Sequence, residues 1–137
     1  MGGYPILYLN FAEVKKSISI YIVIQVCSLG KKHGLECDEG SQDDAVVIQE
    51  MFPAIKRKAE KRLVILVDEY DLPVMRQYFA GKSSSNPFEV EIQAFFSSLK
   101  RNSHHIDFMF IFGATRVTTV GGTDNLLNDL TLKEGIQ

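Results

Sequence analysis

Three short apolar runs punctuate the chain: ILYLNF at residues 6 to 11, LVILV at 63 to 67 and FMFIFG at 108 to 113. Each is continuous rather than alternating, the pattern of parallel strands buried on both faces under helices on each side of a sheet. Between them, apolar positions recur at helical spacing. Residues 41 to 60 put Ala45, Ile48, Phe52, Ile55 and Ala59 on one face, with Ser41 placed to cap the start and Asp44 three residues on. Pro53 predicts a kink there. Residues 87 to 101 start with Asn86 as a cap, Pro87 at the first helical position and Glu89 at the third. Their stripe is Phe88, Ile92, Phe95 or Phe96, and Leu99, and Lys100 and Arg101 meet the negative end of the dipole. Residues 14 to 32 carry two patterns: SISIYIVIQV is rich in β-branched residues, while Val14, Ile18, Tyr21 or Ile22, and Leu29 keep helical spacing. A helix is expected, because parallel strands need a crossover between them.

With 137 residues, 45% of them hydrophobic and 23% charged, the chain suits one globular domain whose core needs no disulfide or metal. Fifteen basic and seventeen acidic residues leave a net charge of -2, which gives no overall pull toward nucleic acid or an acidic membrane. Cys27 and Cys37 form neither a CxxC nor a Cys/His pair, so reduced thiols in an intracellular, cytoplasmic setting are expected rather than a disulfide or zinc site. The apolar run at residues 18 to 29 is too short to span a bilayer, which takes about 20 residues. The amino terminus, MGGYPILYLNF, lacks the basic and long apolar regions of a secretory signal.

The chemistry follows the second run, in LVILVDEYD at residues 63 to 71. A buried strand that delivers Asp68 and Glu69 at its carboxyl end puts two carboxylates at the sheet edge where open α/β folds bind ligands. This is a Walker B pattern, in which the Asp holds hydrated Mg²⁺ and the adjacent Glu polarises an attacking water. A strand entering a solvated acidic turn would have the same text. The third run adds weight, because FMFIFGATR at residues 108 to 116 ends in Gly113, Thr115 and Arg116, where Thr115 can bond a water or phosphate and Arg116 can meet phosphate charge.

Taken in order, LVILVDEYDLPV at 63 to 74, IQAFFSSLK at 92 to 100, FMFIFGATRVTTV at 108 to 120 and DNLLNDLTL at 124 to 132 resemble the predicted AAA-ATPase-like family, with YPILYLNF at 4 to 11 as the strand before them. The resemblance implies a three-layer P-loop NTPase-like α/β domain over residues 1 to 137. It implies ATP and Mg²⁺ as ligands, with Asp68 on the metal, Glu69 as catalytic carboxylate, and Thr115 and Arg116 beside the phosphates. It also implies a sheet order in which LVILV lies between ILYLNF and FMFIFG. No G-x-x-x-x-G-K-(S/T) phosphate loop occurs in these residues. Gly30-Lys31 and Gly81-Lys82-Ser83 imitate it without the earlier glycine or a preceding buried strand. The chain therefore reads as an incomplete sheet lacking the family's first strand and phosphate loop, inactive alone, or as a degenerate interaction module derived from an ATPase. On either reading FMFIFG is left with an open edge that invites self-association through residues 108 to 113.

His104, His105 and Asp107 read as a solvated turn rather than a metal site. Lys56, Arg57, Lys58, Lys61 and Arg62 read as a solvated helix end, since no aromatic interleaving accompanies them to support nucleic acid.

Overall fold

A computed structural model describes residues 3 to 79, 87 to 113 and 117 to 121. The strands are β1 (Ile6–Asn10), β2 (Leu63–Asp68), β3 (Ile106–Phe112) and β4 (Val117–Gly121); the helices are α1 (Ile18–Lys32), α2 (Asp44–Ala59), α3 (Leu72–Phe79) and α4 (Pro87–Arg101). The sheet order is β1-β2-β3-β4, with the first three strands parallel and β4 antiparallel to β3. The expected α/β class holds, and so does the order that sets LVILV between its two neighbours. The result is consistent with an incomplete P-loop-like sheet.

Burial alternates along each parallel strand, contrary to the expectation of strands buried on both faces. Leu7, Leu9, Ile65, Val67, Met109 and Ile111 point into one core and are 2% exposed or less. Residues of opposite parity form the other face, where Ile6 is 50% exposed, Tyr8 49% and Phe108 45%. Continuous apolar text hid this because both faces carry apolar side chains. Among the described residues, helices cover only the first face.

The helical layer is built from stripes close to those expected. Ile18, Ile22, Val26 and Leu29 of α1 are buried, as are Ile48, Phe52 and Ile55 of α2 and Ile92, Phe95 and Leu99 of α4. Ser17 caps α1 by accepting the amide of Ile20 at 3.3 Å. The same end is held from α4: the Glu91 carboxylate accepts the Ser17 hydroxyl at 2.6 Å and the Ile18 amide at 3.0 Å, so an anion from one helix satisfies the positive terminus of another. α2 is capped by Asp43, not Ser41; Asp43 accepts the Ala45 amide at 3.0 Å, while Ser41 accepts the amide of Asp43. The helix runs on through Pro53. It stops at Glu60, whose φ of 59° is left-handed. Asn86, the expected cap of α4, and residues 124 to 132 lie outside the described residues.

Three further findings correct or limit the sequence expectations. The edge of β3 is not open: β4 pairs along it from Phe112 opposite Val117 to Phe108 opposite Gly121. Cys27 and Cys37 form a disulfide with Cα atoms 5.2 Å apart. After α1, the amide of Leu35 donates back to the Gly30 carbonyl at 3.0 Å and Gly34 takes a φ of 76°, so the chain folds back along the helix and returns Cys37 to Cys27. The thiol argument for an intracellular setting loses its premise. No described helix is long and apolar enough to cross a membrane.

Two outcomes follow from this packing. In the loop-closure account a bridge spanning ten residues contributes about 3 kcal/mol, so reduction should lower the denaturation midpoint accordingly, and a thiol assay of the unfolded, unreduced protein should find no free thiol. Asp44 at the start of α2 is only 7% exposed; burial pushes its carboxyl above the ordinary 3.8, against a hydrogen bond from Ser19 that lowers it. A raised folded value favours the protonated form, so the folded state gains stability below pH 3.8 that is lost as pH rises through the folded value. Asp44→Asn should therefore raise the melting temperature at pH 7 and leave it nearly unchanged at pH 3.

Candidate active site

The parallel register sets Asn10, Asp68 and Phe112 in one row at the carboxyl ends of β1, β2 and β3. Asp68 shares the parity of the open face, as does Tyr8 two residues before Asn10. The Tyr8 hydroxyl donates to Asp68 Oδ2 at 3.3 Å. Partial desolvation, then the Asp68 charge and that hydrogen bond, push the Tyr8 phenol above its ordinary value. The strand thus delivers Asp68 as a half-buried carboxylate with one oxygen engaged by a neutral donor.

Glu69 begins the turn that follows. Its φ of 56° puts a non-glycine residue in the left-handed region, a cost on the order of 1 kcal/mol that surrounding contacts must offset. Those contacts come next in the chain. The Tyr70 amide donates to the Phe112 carbonyl at 3.2 Å, its ring is buried against Phe96 with centroids 6.4 Å apart, and the Asp71 carbonyl accepts the Met75 amide at 3.0 Å in the first turn of α3. The turn is pinned at once to the end of β3, to α4 and to α3.

Gly113 explains how the turn and the end of β3 fit together. A Cβ there would lie 2.6 Å from Tyr70 Cε1 and 3.1 Å from Asp71 Oδ2. A side chain there would force the Tyr70 ring and the Asp71 carboxylate to shift, so glycine lets the acidic turn close over β3 without displacement.

The structure places the expected residues unequally. Asp68 and Glu69 stand together at the carboxyl end of β2, as the sequence implied. Thr115 and Arg116 lie outside the described residues. Gly30-Lys31 sits in the last turn of α1, where Lys31 pairs with Glu39, so it is no phosphate loop. Sequence reasoning missed Tyr8 and Asn10. Their signal was faint: a polar residue ending the ILYLN strand, and an aromatic hydroxyl two positions earlier.

Among the described residues, no cluster of three or more His, Cys, Asp or Glu side chains could enclose a metal. Mg²⁺ does not require one, because it commonly keeps water and phosphate oxygens and takes one or two carboxylates from the protein. Asp68, with one oxygen already oriented by Tyr8, fits that sparse donor set.

A family model described as "Predicted AAA-ATPase" matches residues 1 to 123. Comparison with curated proteins and with solved structures gives no match.

The contact at Gly113 gives a direct test. Gly113→Ala should cost about 1 to 3 kcal/mol by overpacking against the Tyr70 ring, read as a lower denaturant midpoint with an unchanged slope. A midpoint equal to that of the parent chain would mean that the turn does not close over β3 as described.

Proposed function

Because this chain belongs to the AAA-ATPase-like family, we propose that the carboxyl end of β2 forms the metal-and-water side of an ATP-hydrolysing site. The observation that carries the proposal is the Asp68-Glu69 pair at the mouth of the central parallel strand, with Asp68 on the open face and Glu69 held in a left-handed turn. Asp68 would hold Mg²⁺, and the Tyr8 hydroxyl would orient its carboxylate. Bound Mg²⁺ supplies charge neutralisation at the phosphates. Glu69 would accept a proton from the attacking water, a role that suits a carboxylate fixed in a pinned turn. Thr115 and Arg116, two and three residues beyond Gly113, would meet the terminal phosphate.

The phosphate cradle is not supplied by any glycine-lysine loop in the 137 residues. Backbone amides at a helix amino terminus carry much of the phosphate affinity in such sites. We therefore infer that hydrolysis requires a phosphate loop from outside this stretch. A second reading, a non-catalytic interaction module descended from an ATPase, is favoured by one specific observation. β4 occupies the flank of β3 where the resemblance would set the phosphate-loop strand.

ATP turnover by a longer form distinguishes the two. The 137-residue chain alone should bind Mg-ATP weakly and show no turnover above background on either reading. A longer form that carries a phosphate loop should hydrolyse ATP on the first reading only. In that form Glu69→Gln should keep Mg-ATP affinity while lowering kcat by about a hundredfold or more, whereas Asp68→Asn should weaken the Mg²⁺ dependence of binding itself. Equal turnover in the parent and Glu69→Gln would remove the catalytic assignment.

A further inference from the structure

At the opposite end of the sheet the structure gathers two sequence features that the ATPase reading leaves unused. The basic residues closing α2 and leading into β2 meet the histidine pair that leads into β3, and together they line an open concavity of about 760 Å³. Its wall includes Lys56, Arg57, Lys61, Arg62, His104 and His105, with Glu60 as the acid among them. β2 is six residues long, so this wall lies about 20 Å from Asp68.

Charge in the concavity is unbalanced. Among the lining residues four are cationic, Lys56, Arg57, Lys61 and Arg62, against one acid, Glu60, while Asp107 approaches Arg62 at 3.8 Å from beside the wall. Lys61 also lies over the Tyr4 ring, 4.8 Å from its centroid. The two imidazoles stand with centroids 3.8 Å apart, and His105 Nδ1 is buried with no hydrogen-bond partner. Burial, then His104 and Lys56, lower the basicity of His105.

The volume lies within the range of small-ligand sites, about 300 to 1,000 Å³. No Phe, Tyr or Trp is among the lining residues and the two histidine rings already lie against each other, so the concavity fits a compact anion better than a single strand. We propose that it is a second anion site, which takes the oligophosphate group of a small molecule. The guanidinium of Arg57 and the ammonium of Lys56 clasp the phosphate oxygens, with Lys61 and Arg62 on the same wall. Inorganic oligophosphate and the phosphates of a nucleotide share this chemistry.

The test is titration of the isotope-labelled 137-residue chain with sodium tripolyphosphate, without Mg²⁺, followed by amide and imidazole chemical shifts. Saturable shifts should centre on residues 56 to 62, 104 and 105, with a dissociation constant below about 1 mM at 100 mM salt. Lys56→Gln with Arg57→Gln should weaken binding about tenfold or more. Lys58→Gln removes one positive charge from the same exposed turn but outside the concavity, and should change binding less than about twofold, where Lys56→Gln or Arg57→Gln alone changes it more. Asp68→Asn should leave it unchanged, which separates this site from the ATPase reading. With pyrophosphate and ADP as further probes, tighter binding of ADP would identify a nucleotide as the natural source, and tighter pyrophosphate a free oligophosphate. The proposal is overturned by absence of saturation, by an equal loss in Lys58→Gln, or by a short oligonucleotide that binds through the same residues more than about tenfold tighter than tripolyphosphate.

Discussion

The parallel pairing of β2 with both β1 and β3 is the constraint from which the rest of the molecule follows. Parallel strands cannot be joined by tight turns, so the chain must leave each strand at one end of the sheet and return at the other. That requirement calls for α1 and α2 between β1 and β2, and α3 and α4 between β2 and β3. It also gathers the carboxyl ends of β1, β2 and β3 at one edge and their amino ends at the other. Asp68 therefore neighbours Asn10 and Phe112, while Arg62 neighbours His105, without any of them being close in sequence.

What could be read in the sequence was what depends on pattern over many residues. The three parallel strands, the helix over residues 18 to 32 despite its β-branched text, and the stripe of α4 all announce themselves by length and spacing. What could not be read depends on single contacts in space. Cys27 and Cys37 look unrelated until the turn at Gly34 returns one to the other. α3 is eight residues that begin with Leu72 and Pro73, too short for its period to stand out. The cap at Asp43 rather than Ser41 shows the usual weakness of boundary reading where several capping residues lie close together. The open face escaped notice because Ile6, Val64, Leu66 and Phe108 are as apolar as the residues that face the core.

The candidate site divides along the same line. Asp68 and Glu69 were legible, since an acidic pair after five aliphatic residues stands out against the strand. The physical reason for DEYD was not. Tyr70 and Asp71 are less a reagent pair than the clasp of the turn: the Tyr70 amide bonds β3, its ring rests on Phe96, and both side chains crowd Gly113. Glu69 can occupy left-handed backbone because the residues after it hold the turn shut. The glycine of the Gly-Ala-Thr-Arg segment and the tyrosine of DEYD are thus two halves of one contact.

The flank of β3 is where fold and function bear on each other most directly. One edge of a strand can bond a single neighbour, because each outward amide and carbonyl has already been committed once it is paired. β4 now fills that edge over five residues, reached by a short connection after Phe112. A phosphate-loop strand could take the same place only by displacing β4, and the exchange would trade one set of backbone hydrogen bonds for another at little net cost. The balance would then rest on side chains, turn geometry and whatever the incoming strand brings. The proposed catalysis would need a phosphate loop near Asp68, while a sheet closed by β4 needs none. The strand bonded to β3 therefore determines whether the acidic turn faces a phosphate or only the solvent at the sheet's edge.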